Sequence, residues 1–241
     1  MSALFEELDY QVTPLGTLIL RRRRDLATGL DIFEIKLNDD FLMSSKFTVS
    51  EEALARLGLA ELAAPKARVV VGGLGLGYTA ATVLDDPEVA AMIVVDAMKP
   101  VIEWHETGLL PLGKVLTQDG RTRFVHGDFF AMARDPDTGF DPLNPGSRFD
   151  AILLDIDHSP RDVLHPVNAA LYTVDGLRTL SKHLVPGGVF ALWSNDPEDV
   201  AFTEDLRAAF GSGRAEPVIF SNPLQGRDAH QCVYIAKTAS A

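Results

Sequence analysis

Cysteine is almost absent from this sequence: one residue, Cys232, occurs in 241. A single cysteine excludes an internal disulfide and any zinc site built from several thiolates. The spacings of the histidine and carboxylate residues do not predict another kind of metal site either. Because Cys232 lies in the apolar run 232–236, we expect it to be a small buried core residue.

Long hydrophobic runs are also missing. No apolar stretch reaches the roughly 18 residues that a membrane-spanning helix needs. Residues 1–10 lack the basic and then apolar pattern of a signal peptide. We therefore expect a cytoplasmic protein with no membrane partner. The hydrophobic share of 46% and the charged share of 23% suit a globular protein with a sizeable core.

Basic residues are outnumbered: 22 Lys and Arg stand against 34 Asp and Glu, which gives a net charge of −12. A surface of this sign repels phosphates, so we predict no nucleic-acid partner. The basic run Arg21–Arg24 follows an apolar run and precedes a turn, which favours a solvated strand end over an RNA contact. The net negative charge suits a cationic substrate.

Glycine, in contrast, is concentrated directly after the apolar run Val69–Val71. Four glycines lie close together there: Gly72, Gly73, Gly75 and Gly77. An apolar helical stretch then begins at Tyr78. A strand, a glycine loop and a helix in this order bring a nucleotide-like ligand against the bare main chain. Glycines that serve only a tight turn are the alternative interpretation.

An acidic residue ends the next apolar run. Ile93–Val95 reads as a second strand, and Asp96 stands at its tip, roughly 20 residues beyond the glycines. A carboxylate at this place accepts hydrogen bonds from ribose hydroxyls, and the neighbouring Ala97 is expected in the same cofactor site. Asp96 as the cap of the following helix is the alternative.

The segment 73–77 has the spacing G-x-G-x-G, whereas dinucleotide-binding proteins have G-x-G-x-x-G. The spacing resembles the first motif of class I S-adenosylmethionine-dependent methyltransferases and of the related aminopropyltransferases. Methyltransferases often carry an acidic residue two positions before the first of these glycines, where this chain has Val71. Methyl transfer and aminopropyl transfer both stay open at this point.

Strands and helices alternate from residue 68 onward. Apolar runs predict strands at 68–72, 92–96, 122–126, 149–155, 187–194, 216–221 and 230–236, with the last two paired as an antiparallel hairpin. The alternation predicts an α/β fold with a doubly wound, mostly parallel seven-stranded sheet, Rossmann-like and of the methyltransferase type. Ligands of such sheets bind beyond the carboxyl ends of the strands.

The part of the chain before this alternation predicts a small β unit, with strands at 17–23, 30–37 and 41–43. Ser50 is expected to cap the helix that follows. We therefore divide the chain into a small N-terminal β-hairpin domain, 1–50, and a nucleoside-binding catalytic domain, 51–241.

Polar side chains follow three further strands. Gly127 and Asp128 follow the third strand, where a carboxylate accepts a hydrogen bond from the adenine amine or caps the next helix. Asp155, Asp157 and His158 follow the fourth strand. A carboxylate there takes a proton from an attacking amine or stabilises a sulfonium, and two neighbouring carboxylates raise the pKa of one of them. Loop capping by both acids is the alternative.

Trp193, Asn195 and Asp196 stand at the end of the fifth strand, where they are placed to line a substrate pocket. For Trp193, a place in the core is an equal alternative. The sequence Asn-Asp-Pro at 195–197 lacks the aromatic residue of the Asn-Pro-Pro-Tyr motif, which disfavours methylation of a nucleobase.

The glycine loop, Asp96, the segment 126–128 and above all the segment 149–160 resemble the spermidine synthase family, the aminopropyltransferases. In that family a strand like 149–154 ends in the catalytic Asp, matched here by Asp155, and a second acid follows closely, matched by Asp157. The family's glycine loop usually carries an Asp that helps to hold the aminopropyl amine, and Gly75 or Leu76 fills that place here. The family's Tyr-His-Glu segment before the loop is missing.

The resemblance implies transfer of an aminopropyl group from decarboxylated S-adenosylmethionine to a small-molecule amine such as putrescine, as in polyamine biosynthesis, and it implies a homodimer. It implies catalytic roles for Asp155 and Asp157. The expected cofactor-binding residues are Gly72, Gly73, Gly75, Gly77, Asp96, Ala97, Gly127, Asp128 and Asp155. The expected substrate-binding residues are Asp157, His158, Trp193, Asn195 and Asp196. The alternatives are an S-adenosylmethionine-dependent small-molecule methyltransferase and a nucleoside-binding protein without catalysis.

Overall fold

The computed structural model describes residues 4–62, 65–223 and 226–240. The first four strands form an antiparallel sheet in chain order: β1 (Phe5–Thr13), β2 (Gly16–Arg24), β3 (Asp31–Leu37) and β4 (Asp40–Ser44). The last three correspond to the three predicted N-terminal strands. β1 is an additional edge strand that the sequence pattern does not predict.

The basic run at the end of β2 is paired with acids of the same sheet. Arg21 Nε and Arg23 Nε donate to the two carboxylate oxygens of Glu34 over 2.7 and 2.8 Å, and Glu34 is only 4% exposed. Arg22 Nη2 donates to Glu6 on β1 over 2.6 Å. The run is therefore part of an ion-pair network within the sheet.

The second sheet has seven strands: β5 (Ala67–Gly72), β6 (Val89–Asp96), β7 (Thr122–His126), β8 (Phe149–Leu154), β9 (Leu184–Ser194), β10 (Arg214–Asn222) and β11 (Arg227–Lys237). Their order is β10-β11-β9-β8-β5-β6-β7. β11 runs antiparallel to both of its neighbours, and the other pairings are parallel. The predicted α/β fold, with a mostly parallel seven-stranded sheet beside a small N-terminal β unit, is confirmed.

Helices cover both faces of this sheet: α1 (Val49–Leu59), α2 (Tyr78–Leu84), α3 (Lys99–Glu106), α4 (Gly113–Gln118), α5 (Phe129–Arg134), α6 (Val174–Ser181) and α7 (Val200–Phe210), with a 3₁₀ helix at Pro166–Ala170. Val69 and Val71 of β5 pack into the core on the side of α1 to α4, and Val70 packs into the core on the side of α5 to α7. This double burial explains the unbroken apolar run. None of the helices in the described ranges is long and apolar enough to cross a membrane.

Two local predictions have clear outcomes. Cys232 is buried, as expected, with 1% of its surface exposed. The prediction that Ser50 caps α1 is wrong, because the chain enters the helix earlier: Thr48 holds the capping position and Ser50 lies in the first turn. There the Ser50 hydroxyl donates to Glu51 Oε2 over 2.7 Å.

The order of the strands creates a crevice at one edge of the sheet. β5 lies between β6 and β8, so the chain moves from β5 toward one side of the sheet and returns to the other side at β8. Ligands of open α/β sheets bind at such a switch point, beyond the carboxyl ends of the strands. The glycine loop follows β5 and Asp155 follows β8, so the topology brings both to this crevice.

Candidate functional site at the carboxyl edge of the sheet

The glycine loop, residues 73–77, is in close contact with the end of β8. The Asp155 amide donates to the Gly72 carbonyl over 2.8 Å. Gly73 has a φ of +94°, and a Cβ atom at this residue would overlap the Asp155 carbonyl oxygen. Both the backbone conformation and the close approach therefore require glycine at position 73.

Asp96 holds the glycine loop from the side of β6. Its Oδ2 accepts from the Leu74 amide over 2.9 Å and its Oδ1 from the Met98 amide over 2.7 Å. The residue is 6% exposed, and this burial raises the pKa of its carboxyl group. Asp96 thus positions the glycine loop, while its predicted contact with ribose stays a prediction.

Hydrogen bonds connect the carboxyl ends of β6 and β7 at the same edge of the sheet. His126 Nε2 lies 3.1 Å from the Ala97 carbonyl oxygen, and the Gly127 amide donates to the Asp96 carbonyl over 3.0 Å. Asp128 caps α5, since its Oδ1 accepts from the amides of Phe130 and Ala131. The Asp128 side chain is exposed, so capping and the predicted contact with adenine are compatible.

Asp155 lies at the centre of the crevice. Thr79, in the first turn of α2, donates its hydroxyl to Asp155 Oδ2 over 2.6 Å. Burial of the carboxylate raises its pKa from 3.8 to about 6, and the hydrogen bond from Thr79 opposes the shift. The Asp155 carboxyl group therefore has its pKa close to neutral pH.

Glu51 is a second acid of the crevice, and the sequence does not predict it. It lies in the first turn of α1, is 8% exposed, and accepts the hydroxyl of Ser50. Burial and the nearby charge of Asp155 raise its pKa from 4.5 to about 7. Burial raises the pKa of Tyr78, and the charge of Glu51 adds to this rise. In the sequence, Glu51 resembles any acid that stabilises the start of a helix.

Glu51→Gln is expected to stabilise the protein at pH 8 by about 1 to 3 kcal/mol and to change little near pH 5. The native pKa of Glu51 is about 7 and lies above its ordinary value. The folded protein therefore binds more protons than the unfolded chain between these values and loses stability as pH rises through them. Glutamine removes that loss because it carries no charge.

Unfolding in urea at both pH values measures this effect. Glu52→Gln is the matched control, since Glu52 is the next residue but forms a surface ion pair with Arg56. An equal gain at both pH values, or no gain at pH 8, would contradict the pKa assigned to Glu51.

Asp157 lies close to Asp155 in sequence but has different contacts. It is completely buried, and its carboxylate accepts from the Leu164 amide, the Asn168 side-chain amide and the Tyr172 hydroxyl over 2.7, 2.9 and 2.7 Å. None of these three groups donates to Asp155, whose carboxylate accepts the hydroxyl of Thr79. In this arrangement Asp157 anchors the segment 164–172, and its predicted role in catalysis stays a prediction.

The predicted substrate-binding residues form a second group beside β9. The Asn195 amide donates to the His158 carbonyl over 2.7 Å, which joins the loops after β8 and β9. Trp193 and Asn195 both contact the side-chain amide of Gln231 on β11. Asn195 and Asp196 are exposed. The structure thus brings His158, Trp193 and Asn195 together, while their contacts with a substrate stay predictions.

Metal ligands are not clustered at this edge. Among residues 4–62, 65–223 and 226–240, no three His, Cys, Asp or Glu side chains are arranged to hold a metal ion.

The chain has the fold of solved spermidine synthases. A spermidine synthase in complex with the transition-state analogue AdoDATO aligns with a TM-score of 0.73 at 19% identity, over 98% of this chain and 74% of that one. The spermidine synthase of Thermotoga maritima aligns with a TM-score of 0.71 at 18% identity, over 97% of this chain and 72% of that one. A probable spermidine synthase of Corynebacterium glutamicum aligns with a TM-score of 0.61 at 15% identity, over 98% of this chain and 81% of that one. No model of a known protein family matches the sequence.

Proposed function

We propose that this chain is a transferase that moves an aminopropyl group from decarboxylated S-adenosylmethionine to a small-molecule amine. One observation carries the proposal: Asp155, an acid with a pKa raised to about 6, stands at the switch point of the sheet against the glycine loop. Its place after β8 is the place of the catalytic Asp in the family that the sequence resembles. The shared fold supports the same conclusion.

The reaction needs a base of this kind. The lone pair of the amine nitrogen attacks the propyl carbon bonded to the sulfonium, a new C–N bond forms, and the C–S bond breaks. Its electron pair moves to sulfur, which leaves as the neutral thioether methylthioadenosine. The nitrogen then carries an extra proton, which the Asp155 carboxylate accepts. The negative charges of Asp155 and Glu51 also favour a cationic donor in the crevice.

The remaining assignments follow the carboxyl edge of the sheet. Asp96 is proposed to contact the ribose, Asp128 the adenine, and Gly73, Gly75 and Gly77 the tail of the donor. The contacts of these residues with one another support the proposal, since Asp96 holds the glycine loop and Gly127 donates to Asp96. A nucleoside along this edge would follow the ends of β5, β6 and β7.

An S-adenosylmethionine-dependent methyltransferase is the second candidate. The observation in its favour is that the glycine loop carries no acidic side chain between residues 73 and 77. In the family that the sequence resembles, an acid in that loop helps to hold the aminopropyl amine. A methyl donor does not need it.

The nucleoside product distinguishes the candidates. We expect incubation with decarboxylated S-adenosylmethionine and putrescine to release methylthioadenosine together with an aminopropylated amine, both measured by chromatography and mass spectrometry. Formation of S-adenosylhomocysteine from S-adenosylmethionine and a small-molecule acceptor would instead support methyl transfer. Tight nucleoside binding with neither product would support the third alternative, a binding protein, and would overturn the proposal.

A further inference from the structure

The backbone amides of the glycine loop are already paired within the protein. Gly73 donates to the Val95 carbonyl, Leu74 to Asp96 Oδ2, and Gly77 to the Leu74 carbonyl, over 2.8 to 2.9 Å. The Gly75 amide also donates to the Asp96 carboxylate, and this hydrogen bond opposes the rise of the Asp96 pKa that burial causes. The Leu76 amide, the fifth, donates to the sulfur of Met43. A ligand that enters this loop therefore meets no unpaired donor between residues 73 and 77.

Among the partners of these five amides, Met43 is the one that is a weak hydrogen-bond acceptor. It lies on β4, and its Sδ is 2.9 Å from the Leu76 nitrogen. A Cβ atom on Gly75 would lie 2.6 Å from the same sulfur, so the thioether occupies the space that glycine leaves open. Met43 is partly buried. The N-terminal sheet thus places a neutral side chain over the middle of the glycine loop.

We infer that Met43 determines which donor the site accepts, by keeping the Leu76 amide from a carboxylate; this inference rests on the proposed function. A carboxylate on the donor's tail requires hydrogen-bond donors or cations, and the covered loop offers neither. The acids of the site are Asp96, which accepts from the Leu74 amide of the loop, and Asp155 and Glu51 in the crevice; their charges repel a carboxylate and attract an ammonium. The site therefore favours the decarboxylated tail over the tail of S-adenosylmethionine.

Substitutions at Met43 can distinguish the effect of exposing the Leu76 amide from the effect of removing the sulfur. Met43→Ala and Met43→Val both lack an atom at the δ position and expose the Leu76 amide, and valine suits a strand. Met43→Leu lacks the sulfur but keeps two carbons at the δ position, so the amide stays covered. Calorimetry on the full chain measures the Kd values of S-adenosylmethionine, its decarboxylated form and methylthioadenosine.

Wild type and Met43→Leu are expected to prefer the decarboxylated donor equally. In Met43→Ala and Met43→Val the preference falls about tenfold or more, because a charge-assisted hydrogen bond from Leu76 becomes available to the carboxylate. Methylthioadenosine, which has no tail, is expected to bind all four proteins alike and reports that each is folded. An unchanged preference in Met43→Ala and Met43→Val, or an equal loss in Met43→Leu, overturns the inference alone. Failure of wild type to bind methylthioadenosine overturns the proposed function, and the inference with it.

Discussion

Asp155→Asn is expected to lower kcat for aminopropyl transfer by about 10²- to 10⁴-fold while changing the Kd of methylthioadenosine by less than about threefold. Asparagine has nearly the same shape and can still accept the hydroxyl of Thr79. It cannot take up the proton that the new C–N bond leaves on nitrogen. The loss should therefore appear in turnover and not in nucleoside binding.

The control for this variant is Asp175→Asn. Asp175 lies on α6, its side chain is 92% exposed, and the substitution should leave turnover unchanged. In wild type, kcat/KM is expected to rise with pH through the range from about 6 to about 7, where Asp155 and Glu51 lose their protons. Turnover of Asp155→Asn within tenfold of wild type would remove Asp155 from the reaction.

Asp157→Ala is expected to lower the free energy of unfolding by about 3 to 5 kcal/mol. The substitution removes the acceptor of three donors, from Leu164, Asn168 and Tyr172, in a site where Asp157 is completely buried. Water does not replace these hydrogen bonds without opening the segment 164–172. Urea unfolding followed by circular dichroism measures the change.

Tyr172→Phe is the matched variant, since it removes one of the three donors and leaves the Asp157 carboxylate in place. We expect it to cost about 1 kcal/mol. The difference between the free energies of unfolding of the two variants measures how much stability depends on the Asp157 carboxylate beyond its hydrogen bond with Tyr172. If Asp157→Ala costs no more than Tyr172→Phe, the segment 164–172 is not anchored as the structure indicates.

The sequence predicts the central sheet well because each strand of that sheet carries its own signal. Val69–Val71 and Ile152–Leu154 are short apolar runs that a strand buried on both faces requires. The strand predicted at 122–126 coincides with β7. Where a run ends in a polar residue, as at Asp96 and Asp155, the parallel arrangement places that residue at the binding edge.

The edge of the small sheet has no such signal. β1 (Phe5–Thr13) alternates poorly, and most of its side chains are exposed. It is held by pairing with β2 and by contacts with residues distant in the sequence, such as the hydrogen bond from Trp104 Nε1 to Asp9 Oδ2 over 2.6 Å. Partners this far apart along the chain cannot be identified from local periodicity.

Glu51 and Met43 are missed for the same reason. Glu51 reaches Asp155 only because α1 packs beside β8, and Met43 reaches Leu76 only because β4 ends over the glycine loop. In the sequence the first is an ordinary acid at the start of a helix, and the second is an apolar residue of a short strand. The motif identifies the glycine loop, while the elements that cover it come from the part of the chain that carries no motif.

The most direct test of the account is a crystal structure of the protein with methylthioadenosine. We predict the nucleoside along the carboxyl ends of β5, β6 and β7, with its ribose beside Asp96, its adenine toward Asp128 and its sulfur facing Asp155. A nucleoside bound elsewhere, or a crevice without nucleoside at saturating ligand, would contradict it.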